Sequence, residues 1–288
     1  MTQKHNAVKI QQQVVARAAS DGDGVKLLRV FGGNNLQRFD PFLMLDEFGS
    51  EQASDYIGGF PSHPHRGFET VTYMLQGKME HRDHIGNVGL LEDGGVQWMT
   101  AGKGIIHSEM PKQTEGKMHG FQLWVNLPAK RKLVPAAYQD TPADKLPWQQ
   151  FAGFSVKAIA GETSINDNKI NGYFTIADTE VVYLDIHLAP GQTISIPKSE
   201  QLNAMLYSYQ GAIHVGEAGS INKEKTLGLL SGAGNLTISN NSNDTVKFLF
   251  IAGKPLQEPI AQYGPFVMNT PEEVEQAIMD FRNDVLTD

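Results

Sequence analysis

Short apolar runs, each closed by glycine, proline or a polar turn, set the pattern of this chain. From residue 23 to 128, the runs GVKLLRVFG, FLMLDEFG, GFETVTYMLQG, KMEHRDH, VQWMTAG, GIIHSEM and GFQLWVNLP read as strands. A second set follows residue 150: FSVKAIAGE, NGYFTI, VVYLDIHLAPG, QTISIP, NAMLYSYQGAIHVG, NLTISN and VKFLFIAG. Many short strands at near-regular spacing predict an all-β sandwich or barrel and not a βαβ fold. Only the tail has helical spacing. In NTPEEVEQAIMDFRNDV, Thr270 can cap, Pro271 suits the first helical position and Glu273 completes a capping box. Val274, Ala277, Ile278 and Phe281 then share one face.

The stretch between the two sets, PAKRKLVPAAYQDTPADKLPWQQ, carries four prolines and mixed charge and reads as a linker. The 288 residues then divide into an N-terminal barrel over 1–134, a linker over 135–150 and a C-terminal barrel with the terminal helix over 151–288. The two halves look related. TVTYMLQGKMEHRD resembles NAMLYSYQGAIHVG, with Tyr73, Gln76 and Gly77 against Tyr207, Gln210 and Gly211. With the glycines aligned, His63 falls opposite Pro197 and His65 opposite Ser199, so only the first half holds a histidine pair.

Cysteine and charge content narrow the chemistry. With no cysteine, disulfides, thiolate metal sites and cysteine nucleophiles are excluded, and any metal must be held by His, Asp or Glu. A net charge of −8, with no basic cluster longer than AKRK at 129–132, argues against direct binding of nucleic acid. No apolar run approaches the roughly 18 residues that a membrane span requires, and MTQKHNAVKIQQQVVARAAS has no apolar core of a secretory signal. A cytoplasmic protein without membrane contact is the expectation.

Against that background, FPSHPHRGFETVTYMLQG asks for an explanation. In a strand, residues two apart share a face, so His63 and His65 project together. His107 and Glu109, in TAGKGIIHSEMP, are likewise two apart at a strand entered through Gly102 and Gly104. Two such pairs on neighbouring strands can converge inside a barrel. Three imidazoles with one carboxylate disfavour magnesium and calcium and suit Fe(II), Mn(II), Ni(II), Cu(II) or Zn(II). By parity alone Glu69 also faces inward, so the spacing leaves the choice of carboxylate open.

The order of these residues is that of the cupin superfamily. HxH is followed by Glu69 and Gly77, and then by G-x-G-x-x-H over Gly102–His107. Two departures stand out: Gly102 occupies a place where the second motif usually has proline, and the Glu69–Gly77 spacing is one residue longer. Together, FPSHPHRGFETVTYML, VQWMTAGKGIIHSEMP, GFQLWVNLP, DPFLMLDEFG and GPFVMNTPEEVEQAIMDF closely resemble the pirin family, from about residue 10 to 285. The resemblance implies two tandem cupin barrels, with one metal, usually iron, in the N-terminal barrel and a metal-free C-terminal barrel. It implies His63, His65, His107 and Glu109 as ligands, which leaves Glu69 a supporting or structural residue.

The resemblance also implies function. Similar proteins show quercetin 2,3-dioxygenase activity, opening a flavonol with dioxygen and releasing carbon monoxide, and Glu109 would act as general base. In the alternative, iron is a redox-sensitive switch on a regulator that binds transcription factors or metabolic enzymes, and the acidic charge suits a protein partner better than DNA. A cupin isomerase or small-molecule carrier is a third option, though no phosphate-binding loop is present. The family leans to monomers. Among the other histidines, His81 and His84 read as a solvated hairpin. His119 either points toward the site or is buried and hydrogen-bonded. His187 and His214 read as structural, and Lys103 as solvated.

Overall fold

The computed structural model describes residues 7–33 and 38–288. Residues 1–6, the start of the segment read above for a secretory signal, lie outside the described residues. Two compact units form: Arg17–Lys145 with Leu256–Asp288, and Met1–Ala16 with Leu146–Pro255. Each unit pairs a seven-stranded antiparallel sheet with a four-stranded one, a double-sheet jelly-roll barrel that agrees with the all-β reading of the strand spacing and with the cupin barrels that the family resemblance implies.

In the unit built on residues 17–145, the large sheet runs Ala137–Thr141, Val96–Thr100, Phe68–Gln76, Met118–Asn126, Phe42–Ser50, Val25–Phe31, Arg17–Asp21. Its small sheet runs Phe60–His65, Ile105–Pro111, Met79–Asp83, Val88–Leu91. The other unit repeats this order. Its large sheet runs Lys9–Val15, Thr226–Ser231, Asn203–Gln210, Val246–Gly253, Val182–Leu188, Phe154–Ala160, Gln149–Phe151, and its small sheet Thr193–Lys198, Gly234–Ser239, Ile213–Val215, Ser220–Asn222. The duplication suspected from the two Gln-Gly turns therefore extends through the whole barrel.

The chain ends depart from the sequence-order division. The expected linker is not free chain, because Ala137–Thr141 pairs with Val96–Thr100 and closes that side of the first large sheet. In the second barrel the same place is filled from the N-terminus, where Lys9–Val15 pairs with Thr226–Ser231. An open edge of unpaired N–H and C=O groups is unfavourable, and each barrel covers this one with a different piece of chain. The terminal helix, Pro271–Arg282, belongs to the unit of residues 17–145 and not to the C-terminal barrel. Its capping box forms as predicted between Thr270 and Glu273. Val274 and Ala277 pack with Phe266, Met268, Leu286 and the partly buried Ile106 and Ile278, while Phe281 is 38 % exposed with its ring 6.3 Å from that of Phe266. NGYFTI also differs from expectation. The strand there is Asn168–Asn171, and the chain then turns so that the Gly172 N–H meets the Gly161 carbonyl.

Two local features explain residues that looked out of place. Pro61 and Pro64 interrupt a strand, but Phe60–His65 is the outer strand of the small sheet, where a missing N–H leaves no ladder bond unmade. Gly102 replaces the usual proline of the second motif because its φ is +53°, a backbone region closed to proline. No helix among the described residues is long and apolar enough to cross a membrane.

One buried cation ties the returning C-terminal segment to the first barrel. Lys132 is 1 % exposed, and its Nζ donates to Gly67 O at 2.8 Å, Asn126 Oδ1 at 2.8 Å and Val267 O at 2.9 Å. Burial pulls its ammonium down to about 8, so it is still largely charged at neutral pH, with all three donors used. Lys132→Met leaves those oxygens without their donor and should cost about 3 kcal/mol. Urea unfolding of wild type and variant checks this; an unchanged midpoint would show that the three bonds contribute nothing net.

Candidate metal centre

Strand register brings the predicted donors together. His63 lies directly opposite His107, and His65 opposite Ile105, across Phe60–His65 and Ile105–Pro111. The rings follow: centroids are 4.7 Å apart for His63–His65, 4.5 Å for His63–His107 and 4.9 Å for His65–His107. One ligand atom from each of the three lies within 4.8 Å of the others. His63 Nδ1 sits 2.8 Å from Pro61 O, which as a carbonyl can only accept. The proton is therefore on Nδ1 and the lone pair on Nε2, the arrangement that prepares an imidazole as a ligand.

Glu109 joins from the same strand as His107. It is buried and, with His63 and His65, lines the cavity described below. Its carboxylate is engaged by groups that the sequence reading did not place there. His81 Nε2 lies 2.7 Å from Glu109 Oε1, although the ring N–H is not aimed along that line, and Thr72 Oγ1 lies 3.3 Å away. His81 Nδ1 is also 3.4 Å from His107 Nδ1. Two overlapping triads result, His63–His65–His107 and His81–His107–Glu109.

His81 thus corrects the expectation of a solvated hairpin, for it is 5 % exposed. The strand KMEHRDH alternates, with Met79 and His81 turned inward and Glu80 and Arg82 forming an outer ion pair at 2.7 Å. Its cross-strand partner is Glu109. That alternation was the available signal. His84 remains at the periphery, where its Nδ1 accepts from the Ile106 N–H at 3.3 Å. His119 takes the second of its two options: it is hydrogen-bonded to the buried Glu47 at 2.7 Å and does not line the cavity. Glu69 accepts from Thr100 Oγ1 at 2.7 Å and serves the sheet. His187 packs at a tilt against Trp148, with ring centroids 4.2 Å apart, and meets the Tyr209 hydroxyl at 3.0 Å, which in turn donates to Asp185.

Electrostatics favour a cation at this point. Burial, and then repulsion from neighbouring imidazoles, hold His65 well below its ordinary value. Burial dominates at His107 too and, partly offset by Glu109, brings it to about 3. For Glu109 burial works upward, but the imidazoles of His81, His107 and His63 outweigh it and leave the carboxyl at about 2. His65 and His107 are therefore neutral and the Glu109 carboxylate charged, which is the state metal ligands require. His65 Nδ1 and His107 Nε2 are buried without a hydrogen-bond partner. Orphaned imidazole nitrogens beside a carboxylate fit a divalent transition metal.

The site opens into a cavity of about 790 Å³. Met44, Phe48, Phe60 and Trp124 form apolar walls, and Thr72 and Gln122 supply polar groups, with Thr72 Oγ1 3.3 Å from Glu109. Toward the other side, Arg29 makes a two-point ion pair with Asp46 at 2.9 and 2.8 Å and also binds Asp21 at 2.9 Å. The returning C-terminal segment contributes Gln262, Tyr263 and Pro265.

A jelly-roll barrel with a cluster of imidazoles and a carboxylate that could hold a metal, His63, His65 and Glu109 of it lining the cavity, followed by a second barrel of the same topology, defines a tandem cupin protein. The profile of the family described as Pirin matches residues 24–125, and that of the Pirin C-terminal cupin domain matches residues 183–287. The chain belongs to the pirin family. A relative from Pseudomonas aeruginosa, provisionally named a quercetin 2,3-dioxygenase, is 53 % identical over 93 % of this chain and 94 % of its own. The crystal structure of a quercetin 2,3-dioxygenase from Acinetobacter baumannii is 33 % identical, with a TM-score of 0.86 over 97 % of this chain and 99 % of that one. A bacterial pirin from Escherichia coli, solved in complex with nickel(II), is 20 % identical over 85 % of this chain and 98 % of that one, and shares the fold with a TM-score of 0.61.

Two outcomes test the centre. A His63→Ala, His107→Ala double variant purified without added metal should hold little or no ion by mass spectrometry while keeping the far-ultraviolet dichroism of wild type. Retention of a full equivalent would remove these side chains from the ligand set. The second outcome concerns pH. With metal chelated, His107 binds its proton at about 3 when folded but near 6.5 when unfolded, so between those values the unfolded chain holds more protons. Stability of the stripped protein should fall as pH drops through that window, with Glu109 acting in the same direction from 4.5 toward 2. Thermal melts from pH 7 to 4 read this, and His107→Gln should flatten the slope.

Proposed function

We propose that the first barrel carries an iron centre and opens flavonols with dioxygen, releasing carbon monoxide, as a quercetin 2,3-dioxygenase. The observation that carries the reading is that His63, His65 and Glu109 face a cavity of about 790 Å³ with apolar and aromatic walls. This lies in the range that encloses a ligand the size of a flavonol, roughly 300–1,000 Å³. The names of the P. aeruginosa relative and the A. baumannii structure support the same reaction class.

His63, His65, His107 and Glu109 would hold the ion, and manganese, nickel, copper or zinc suit the same donors. Bound iron supplies Lewis acidity toward the flavonol 3-oxygen and a path for electrons to dioxygen. Trp124, Phe48 and Phe60 exclude water from the flat ring system, and Gln122, hydrogen-bonded with Thr72 at 2.6 Å, presents a fixed polar group beside it. The Arg29–Asp46 pair offers a polar end for phenolic hydroxyls.

Glu109 takes the 3-hydroxyl proton on its carboxylate. A carboxyl held near 2 is a weak base, so this transfer depends on a cation that makes the hydroxyl acidic. His81, in contact with the same carboxylate, keeps it aimed.

Anaerobic addition of quercetin to iron-loaded protein should shift the flavonol absorption band, and admission of oxygen should then release carbon monoxide. Glu109→Gln, with iron content confirmed, should slow release by about 10²–10⁴-fold. Absence of carbon monoxide from fully iron-loaded protein would rule out the activity for flavonols.

A further inference from the structure

The second barrel keeps the cavity but not the metal donors. Its correspondence with the first follows from strand pairing. Val215 pairs with Ile238 as His81 pairs with Glu109, and Ile194 faces Ile238 as Phe60 faces Glu109. From there the first barrel has a register irregularity between His107 and Glu109, whereas Thr193–Lys198 pairs with Gly234–Ser239 without one. Ile196–Leu236 therefore takes the place of His63–His107, and Lys198–Gly234 that of His65–Ile105. Aligning Gly77 with Gly211 sets Pro197 and Ser199 opposite the histidines; the irregularity moves that match by one residue. Burial agrees, since Ile194, Ile196 and Lys198 are buried while Pro197 and Ser199 are exposed.

The large-sheet wall corresponds in the same way. Val182 pairs with Ala252 as Met44 pairs with Trp124, and Leu206 with Phe250 as Thr72 with Gln122. Aliphatic side chains thus replace His63, His107 and Glu109, a lysine replaces His65, and an alanine replaces the tryptophan. The result is a cavity of about 550 Å³, with Lys198, Val182, Leu202, Phe250 and Ala252 among its lining.

Lys198 is 7 % exposed. Its Nζ donates to Gly232 O at 2.8 Å and Ser199 O at 3.2 Å, which leaves one of three N–H groups, and among the described residues no carboxylate pairs with it. Glu162, on the cavity rim, is paired with Lys169 at 3.4 Å. Glu200 attracts this ammonium only from a distance and offsets part of the cost of burial, and an anion in direct contact would relieve the remainder. Burial also draws its proton affinity below that of an ordinary lysine.

We propose that this cavity binds a small monocarboxylate with a compact apolar body, its carboxylate on Lys198 Nζ and its body against Val182, Phe250 and Ala252. The site is separate from the metal centre and does not depend on the dioxygenase reading.

The probe is 4-fluorobenzoate, followed by fluorine NMR on metal-loaded protein. Saturable binding is expected, weakened at least about tenfold by Lys198→Gln and abolished by Ala252→Trp, which restores the tryptophan of the first barrel. Dichroism and metal content confirm that each variant is folded, and Ala252→Trp alone decides the matter if Lys198→Gln is not. Binding should persist in the His63→Ala, His107→Ala protein. No saturable binding up to about 10 mM overturns the proposal. So does binding that survives Ala252→Trp, or binding that disappears with the metal ligands.

Discussion

Imidazole rings packed with centroids less than 5 Å apart in a buried pocket cannot all carry protons. Burial and mutual repulsion keep His65 and His107 neutral, and neutrality leaves lone pairs with nothing nearby to donate to them. Much of the first barrel is arranged around that constraint. Pro61 and Pro64 sit in the outer strand that carries His63 and His65. A left-handed glycine opens the strand that carries His107 and Glu109, and a buried lysine anchors the returning tail near Gly67. Beside these rings the Glu109 carboxylate, with His81 Nε2 2.7 Å away, stays ionised although it is buried.

The two barrels show how one fold can be used in two ways. Both have the same strand order, and each has a cavity lined in part by four corresponding strands. They differ at a few inward positions. In the first, donors cluster and a tryptophan forms part of the wall. In the second, Ile196, Leu236 and Ile238 fill the donor positions with hydrocarbon, and Lys198 leaves a single cationic group. A barrel that buries aliphatic side chains there offers no metal donors at those positions, which fits a chain in which duplication preserved architecture and not the donor set.

Edge closure decided where the ends of the chain go. The first barrel borrows Ala137–Thr141 and the last thirty-odd residues, while the second borrows Lys9–Val15. None of these segments has the dense apolar alternation that marks the central strands. Lys9–Val15, read as KIQQQVV, is mostly exposed, and its pairing is specified by an available ladder in Thr226–Ser231 and not by its own side chains.

Local spacing determined a good deal by itself. Period-two alternation marked the central strands, Thr270, Pro271 and Glu273 marked the helix, and two-residue spacing set His63 beside His65 and His107 in line with Glu109, because side-chain direction in a strand is a property of the strand alone. Only tertiary structure could decide the rest. It placed His81 against Glu109, turned His119 to Glu47 and assigned the helix to the first barrel, since each depends on which distant strand lies alongside. It also shifted the match between the halves by one residue, from Ser199 to Lys198 opposite His65, because a register irregularity changes cross-strand partners without leaving a mark in the residue spacing.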